Sequence, residues 1–387
     1  MELIPVPFDE ELRFIGLCPD FLFLLKGEAV RVFLMTLDGA VDITNLVLGK
    51  QLFVSFKNLN LASLCAFLRP VYGCQWCSLD NAVKELKETL ENVLRKRKIL
   101  VCFSGGKDSI LLLSIITALR NYVDFDVEAL YVYIPFLDDI KGPSIALEIC
   151  KRLGVELEVV EAKRRQVKSY LRWRGLPKIG SRWCTMFKVK PVREIAKNRN
   201  ALILVADRAM ESPKRCLKLL HAIRCGMELY SMSRKLYPLA KATFLDAVLI
   251  TKELKVVNPI YLKGGIRVSC ALCPYKTLYE FKVLDQRVED PGLIENVLKK
   301  EFRSKYSKHM DFETFIELHL WRFRPRMAQL LSELHKYAMR MLIENHRINY
   351  EQIRHWVSSL WNRDLHVPKI DVSRIMDLCS IHDLSIS

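Results

Sequence analysis

No uninterrupted apolar stretch in this chain approaches the roughly 20 residues of a membrane-spanning helix. The apolar runs Phe21–Leu25 and Val30–Leu37 are separated by Lys26, Glu28 and Arg31. The opening residues, Met1-Glu2-Leu3-Ile4-Pro5, are without the basic region of a secretory signal, so the expected location is the cytoplasm. Internal repeats and low-complexity segments are absent as well, which sets aside repeat architectures. Glutamine is scarce and charge abundant, a balance that points toward a thermophile. What remains is a chain of 387 residues, half of them hydrophobic, long enough for two or three domains with at least one substantial core. Its 60 Lys and Arg against 44 Asp and Glu give a formal net charge of +16, which favours an anionic partner and would steer nucleic acid toward the surface. In a cytoplasmic chain the 12 cysteines are expected as ligands, nucleophiles or core residues rather than disulfides, an inference that a hyperthermophilic origin would weaken.

One turn organises the chain. Ser104-Gly105-Gly106-Lys107-Asp108-Ser109 stands between the apolar runs Ile99–Phe103 and Ile110–Leu119, which read as a strand and a helix. The two glycines let backbone N–H groups point inward at the positive end of that helix, where a polyphosphate is stabilised. Lys107 adds a mobile charge, and Asp108 or Ser109 could cap the helix or orient a magnesium ion on the phosphates. The Gly-x4-Gly-Lys-Ser/Thr spacing of the Walker A loop is absent.

The expected organisation has four parts: a small strand-rich N-terminal domain (1–73), a Cys-x2-Cys pair with a linking helix (74–95), an α/β domain with a parallel sheet (96–285), and a helical C-terminal region (286–387). In the third part, strand and helix alternate: Glu128–Tyr133, Ser144–Leu153, Val155–Glu161, Val192–Asn198 and Leu202–Ala206. Ligands then sit at the carboxyl ends of the strands, where the glycine turn lies. Between Arg164 and Lys190 the composition becomes cationic and reads as a long loop, with Arg172-Trp173-Arg174 and Arg182-Trp183-Cys184-Thr185 inside it. Asp207-Arg208-Ala209-Met210-Glu211-Ser212-Pro213-Lys214-Arg215 follows a strand end, and its arginines could grip an anion bidentately. Cys74 and Cys77 form one Cys-x2-Cys, and Cys270 and Cys273 a second, a spacing that lets two thiolates share a metal. Trp321-Arg322-Phe323-Arg324-Pro325-Arg326 interleaves cations with aromatics as nucleic-acid surfaces do, and helix packing explains the aromatics equally well.

The Ser-Gly-Gly-x-Asp-Ser turn resembles that of the PP-loop ATP pyrophosphatases. The order of that turn, Arg182-Trp183-Cys184-Thr185 with Lys188 and Pro191, Arg208-x2-Glu211-Ser212-x2-Arg215, Asn258-Pro259-Ile260 and Cys270-x2-Cys273-Pro274 resembles the phosphoadenosine phosphosulfate reductase family within that group. The resemblance covers about residues 96 to 285 and leaves extra N- and C-terminal regions. It implies a Rossmann-like sheet binding ATP or a related adenine nucleotide. Ser104, Gly105, Gly106, Lys107, Asp108 and Ser109 would line the phosphates, with Arg208, Glu211, Ser212 and Arg215 nearby. Lys107, Asp108 and Cys184 are the expected catalytic residues, Cys184 standing at the family's cluster position. The chain departs from the family where Trp183-Cys184 replaces a tandem Cys-Cys, and where Asp377-Leu378-Cys379-Ser380-Ile381-His382 only echoes the Glu-Cys-Gly-Leu/Ile-His tail.

Two metal-binding arrangements are compatible with this pattern, and a third reading has all five cysteines as inert core residues. Cys184, Cys270 and Cys273 could hold an iron-sulfur cluster with Cys74 or Cys77 as a further ligand, the preferred reading, or the two pairs could close a zinc site and leave Cys184 free. Three functions follow: adenylation of an acceptor such as tRNA, with pyrophosphate release for sulfur transfer; reduction of a sulfonucleotide to sulfite; or non-catalytic nucleotide and RNA binding.

Overall fold

A computed structural model describes residues 2–8, 11–26, 29–48, 73–224, 235–340 and 347–371, with 373 and 377. Side chains are described from residue 19 onward, except at 25, 26, 29, 47, 48, 213, 214 and 221–224. The Cys379 tail therefore lies outside the described residues. No described helix is long and apolar enough to cross a membrane.

The strands β1 (Glu2–Phe8), β2 (Glu11–Cys18), β3 (Phe21–Lys26), β4 (Ala29–Met35) and β5 (Gly39–Asp42) form an antiparallel sheet in sequence order. The second sheet is parallel and contains β6 (Lys98–Cys102), β7 (Asp126–Tyr133), β8 (Leu157–Glu161), β9 (Leu202–Leu204) and β10 (Lys235–Leu236) in the order β10-β9-β6-β7-β8. Alternation along its strands covers both faces. Ile99, Val101 and Ala129 pack with the apolar body of the helix Lys107–Leu119, whereas Leu100, Leu130 and Ile203 pack with Val192 and Ala196 of the helix Cys184–Asn198. The chain builds outward from β6 through β7 and β8, then crosses back to place β9 on β6's other side. The connections after β6 and β9 thus part in opposite directions and open a crevice at the strands' carboxyl ends.

The cationic stretch between Arg164 and Lys190, read from composition as a loop, is largely helical. Arg164–Arg174 forms a helix because Val167 and Leu171, four apart, are buried while its cations point outward. The helix Cys184–Asn198 begins eight residues before the Val192 expected from sequence, and carries Pro191 within it. The C-terminal region also departs from its all-helical reading: β11 (Arg347–Asn349) pairs antiparallel with β5 and becomes the sixth strand of the N-terminal sheet.

Phe21, Phe23, Val32 and Leu34 of that sheet share one core with Phe315, Trp321, Leu331 and Leu360 from the C-terminal helices. The segment Trp321–Arg326 belongs to this core for half its length. Trp321, Arg322 and Phe323 are buried, and Arg322 forms a 2.6 Å ion pair with buried Asp20 and donates to the Lys276 carbonyl at 2.8 Å. The nucleic-acid reading of this segment is corrected: packing around a buried ion pair accounts for its mixture of cations and aromatics. Asp20→Ala would leave the Arg322 charge buried and unpaired, and is expected to destabilise the fold by about 3–5 kcal/mol in denaturant titration.

His335 lies in the same core beside Asp20 and Arg322, and burial, only partly opposed by Asp20, pulls its pKa from 6.5 to about 4. Below about pH 6.5 the unfolded chain takes up a proton that the folded chain refuses. Stability is therefore expected to fall as pH drops from about 6.5 toward about 4, with a smaller fall in His335→Gln measured by thermal unfolding.

Candidate active site

The turn after β6 meets the helix Lys107–Leu119 without a side-chain cap: Gly106 occupies the N-cap. Gly105 has φ +73°, a conformation that a residue with a Cβ adopts only under strain. Inside the turn, Ser104 N–H donates to Ser109 Oγ (3.3 Å), and Ser109 Oγ–H donates to the Gly106 carbonyl (2.9 Å). The Asp108 and Ser109 N–H groups have no acceptor among the described residues, so the first helical turn offers donors where the macrodipole favours an anion. All six residues line a cavity of about 630 Å³.

The turn is propped from behind by the Asn258-Pro259-Ile260-Tyr261 segment. Asn258 Nδ2 donates to the Gly105 carbonyl at 2.9 Å, while its Oδ1 accepts from Ile260 N–H and caps the short helix Pro259–Leu262. Tyr261 Oη accepts the Lys107 N–H at 2.9 Å, and its ring stacks on Trp361 with centroids 4.6 Å apart. Sequence reading flagged the Asn-Pro-Ile motif and missed Tyr261, whose role depends on a contact across 154 positions. Tyr261→Phe keeps the stack but loses the acceptor, and is expected to weaken adenine-nucleotide binding by about fivefold to tenfold in equilibrium titration.

The connection after β9 supplies the opposite wall. Arg208, 1% exposed, holds Asp108 through a 2.6 Å ion pair, and Lys107, 2% exposed, approaches the same carboxylate at 3.3 Å. Burial alone would raise the Asp108 pKa, but the two cations overcome it and hold the group below the ordinary carboxylate value. Arg208 does not line the cavity; it stands behind Asp108. Glu211 and Arg215 line the cavity and pair with each other, and Arg215 also reaches Asp207 at 3.3 Å. Ser212 is not on the cavity; its Oγ accepts the Arg215 N–H at the start of the helix Pro213–Arg224.

Cys184, Cys270 and Cys273 line the same cavity. Burial pushes the Cys184 thiol up, Cys273 adds to that, and Lys188 and Arg182 oppose it without overcoming it. Burial and then Asp138 push Cys270 well above the ordinary thiol value, against the pull of Lys188. Asp138, absent from the sequence-derived site, is buried and anchored: it accepts the Ile134 N–H at 2.8 Å and meets Lys188 at 3.4 Å. Cys102, also unforeseen, lines the cavity at the end of β6, its thiol pushed up to about 11 by burial. Its only signal in sequence is its place just before the glycine turn.

Cys74 and Cys77 are elsewhere. They are joined in a disulfide and do not line the cavity. Both oxygens of Asp246 accept N–H groups from Gln75 (3.0 Å), Trp76 (2.8 Å) and Cys77 (3.0 Å), while Cys74 pairs with the chain at Pro368 and Ile370. This anchoring keeps the pair from the other three cysteines, correcting both arrangements in which the two halves meet at one metal. Among the described residues, no group of three His, Cys, Asp or Glu side chains is disposed to hold a metal ion.

A parallel sheet whose first crevice turn is a glycine-rich, uncapped helix start defines a nucleotide-binding α/β protein of the PP-loop class. The profile of the phosphoadenosine phosphosulfate reductase domain matches residues 98–276, and the chain carries a domain of that family. No curated protein matches the chain. Among solved structures, the chain is similar to a U34-tRNA thiolase, NcsA, from Methanococcus maripaludis with its [4Fe-4S] cluster, at 15% identity over 66% of this chain and 78% of that one, TM-score 0.37. It is also similar to NAD+ synthetase from Burkholderia pseudomallei (15% identity, 57% and 87% covered, TM-score 0.30) and to the NH3-dependent NAD synthetase of Campylobacter jejuni (14%, 60% and 97%, TM-score 0.32).

Proposed function

We propose that this protein binds ATP with magnesium, adenylates an oxygen of an RNA acceptor such as tRNA with release of pyrophosphate, and replaces that oxygen with sulfur. The observation that carries this reading is that the phosphate turn shares one cavity with Cys184, Cys270 and Cys273. The free N–H groups at the helix start and Lys107 would hold the outer phosphates and withdraw charge as the acceptor oxygen attacks the α-phosphorus. Pyrophosphate leaves, the acceptor oxygen then departs with AMP, and the carbon it leaves takes a sulfur nucleophile.

The donor chemistry of Cys184, Cys270 and Cys273 fits an iron-sulfur cluster in kind: three thiols on one wall, with Lys188 and Arg182 close enough to offset thiolate charge. Bound there, such a cluster would supply a place to hold sulfide. With Cys74 and Cys77 bonded to each other away from the cavity, the chain's own contribution to it would be these three residues. Asp138 and Lys188 form the polar floor beneath Cys270 and would orient it.

Incubation with ATP, sulfide and unmodified tRNA tests the reading. AMP, pyrophosphate and thiolated tRNA in equal amounts are the expected products. Sulfite from a sulfonucleotide, with no ATP cleavage, would assign the protein to sulfonucleotide reduction, and nucleotide binding without either product would leave a binding module.

A further inference from the structure

The helix Arg164–Arg174 carries Arg164, Arg165, Lys168, Arg172 and Arg174 and no acidic residue. Arg164 is committed to Glu289 and Glu161, but no described acidic side chain pairs with the other four. Trp173 on this helix is 72% exposed, more than any other large apolar side chain described, and the Arg174 guanidinium lies 4.7 Å from its ring centroid. Within the fold the ring meets only the edge of Tyr170 among the described rings, with centroids 6.1 Å apart, and most of its surface is left in solvent. Beside it opens a groove of about 460 Å³ lined by Asn296, Lys299, Lys300, Arg303 and Ser304, with Lys299 paired to Glu295 at 2.5 Å and no acid in the lining itself. Lys300 Nζ donates to the Arg172 carbonyl at 3.3 Å and brings groove and ring together.

The same surface is tied to the cavity. Partly buried Lys178 and buried Glu301 form a 2.7 Å ion pair between the segment after Gly175 and the end of the helix Pro291–Glu301, which carries Asn296, Lys299 and Lys300. A Cβ on Gly175 would lie 2.6 Å from a Glu301 carboxylate oxygen, so the two chains meet there at glycine distance. From Gly175 the chain runs through Pro177 and Arg182, both on the cavity wall, to Cys184.

We propose that this face docks a single-stranded segment of the RNA acceptor, its phosphates over Lys299, Lys300 and Arg303 and one base stacked on Trp173. The proposal rests on the reading of an RNA acceptor given above. An exposed ring framed by arginines suits a base, which offers a π-face and an adjoining phosphate. A membrane would need an apolar patch, whereas the ring is flanked by Arg172 and Arg174 and meets one other ring, Tyr170, edge-on.

The test is fluorescence anisotropy of the full chain with a short labelled single-stranded RNA, the same sequence as DNA, and tRNA, at several salt concentrations. Wild type is expected to bind RNA more tightly than DNA, with steep salt dependence. Trp173→Ala is expected to weaken RNA binding about tenfold while Trp173→Phe retains most of it. Lys300→Gln with Arg303→Gln is expected to lower the slope of log K against log salt by about 1.4, with circular dichroism confirming the fold. Unchanged binding in both sets of variants overturns the surface and leaves the acceptor reading standing. DNA bound as tightly as RNA overturns the assignment to RNA. Absence of binding to RNA and tRNA alike by wild type overturns the acceptor reading and the surface with it.

Discussion

Lys107→Ala and Asp108→Asn are each expected to lower kcat/KM for ATP at least about tenfold, because each removes a charge interaction worth about 1.5–3 kcal/mol. The two variants should differ in how they fail. Lys107 reaches the cavity from a site that is 2% exposed, where water cannot replace its charge, so its loss should appear mainly in kcat as pyrophosphate departs. Asp108 is bound by Arg208 and Lys107 at 2.6 and 3.3 Å, and Asp108→Asn leaves those buried cations partly uncompensated. A lower melting temperature should therefore accompany its loss of activity, whereas Arg208→Lys should keep the charge, lose the aligned Nε contact and fall between wild type and Asp108→Asn. The carboxylate's pKa is depressed below 3.8, so its stabilising contribution is present above that value and lost as pH falls through the lower folded pKa. An acid limb of activity near neutral pH must then come from another group. Wild-type turnover in both Lys107→Ala and Asp108→Asn would remove the phosphate turn from the proposed chemistry.

The second large effect is expected at the cysteines. After anaerobic purification the protein is expected to be brown and to contain iron and acid-labile sulfide, and Cys184→Ala and Cys270→Ala are each expected to lose the colour and the sulfur-transfer activity. Cys74→Ala with Cys77→Ala should retain both, since that pair is anchored by Asp246 away from the cavity. Its cost should instead be stability, measured by thermal unfolding, through the loss of the cross-link and its neighbouring contacts. One zinc per chain retained in Cys184→Ala, or no metal at all, would defeat the cluster reading.

The parallel sheet and the phosphate turn were legible in the chain because both depend on neighbours in sequence. A β-branched run, two glycines and an apolar helical pattern specify strand, turn and helix within some twenty positions, from Ile99 to Leu119. The Arg208 and Asn258 motifs were visible as words, but what they do was decided by the crossover that sets β9 against β6. That crossover turns Arg208 into the clamp on Asp108, and Asn258 and Tyr261 into supports for the turn. The cysteines show the limit most directly. Two Cys-x2-Cys pairs look alike in sequence, yet a buried carboxylate at Asp246 fixes one in a disulfide turn while the other shares a cavity with Cys184. Likewise Arg172-Trp173-Arg174 and Trp321-Arg322-Phe323 have the same alternation of cation and ring, and only burial separates them. Asp20 satisfies Arg322 inside the core, whereas Trp173 is left in solvent near the groove lined by Lys299, Lys300 and Arg303. Local propensity acts within a few residues of the chain, but the placing of a charge or a thiol depends on which distant element packs against it.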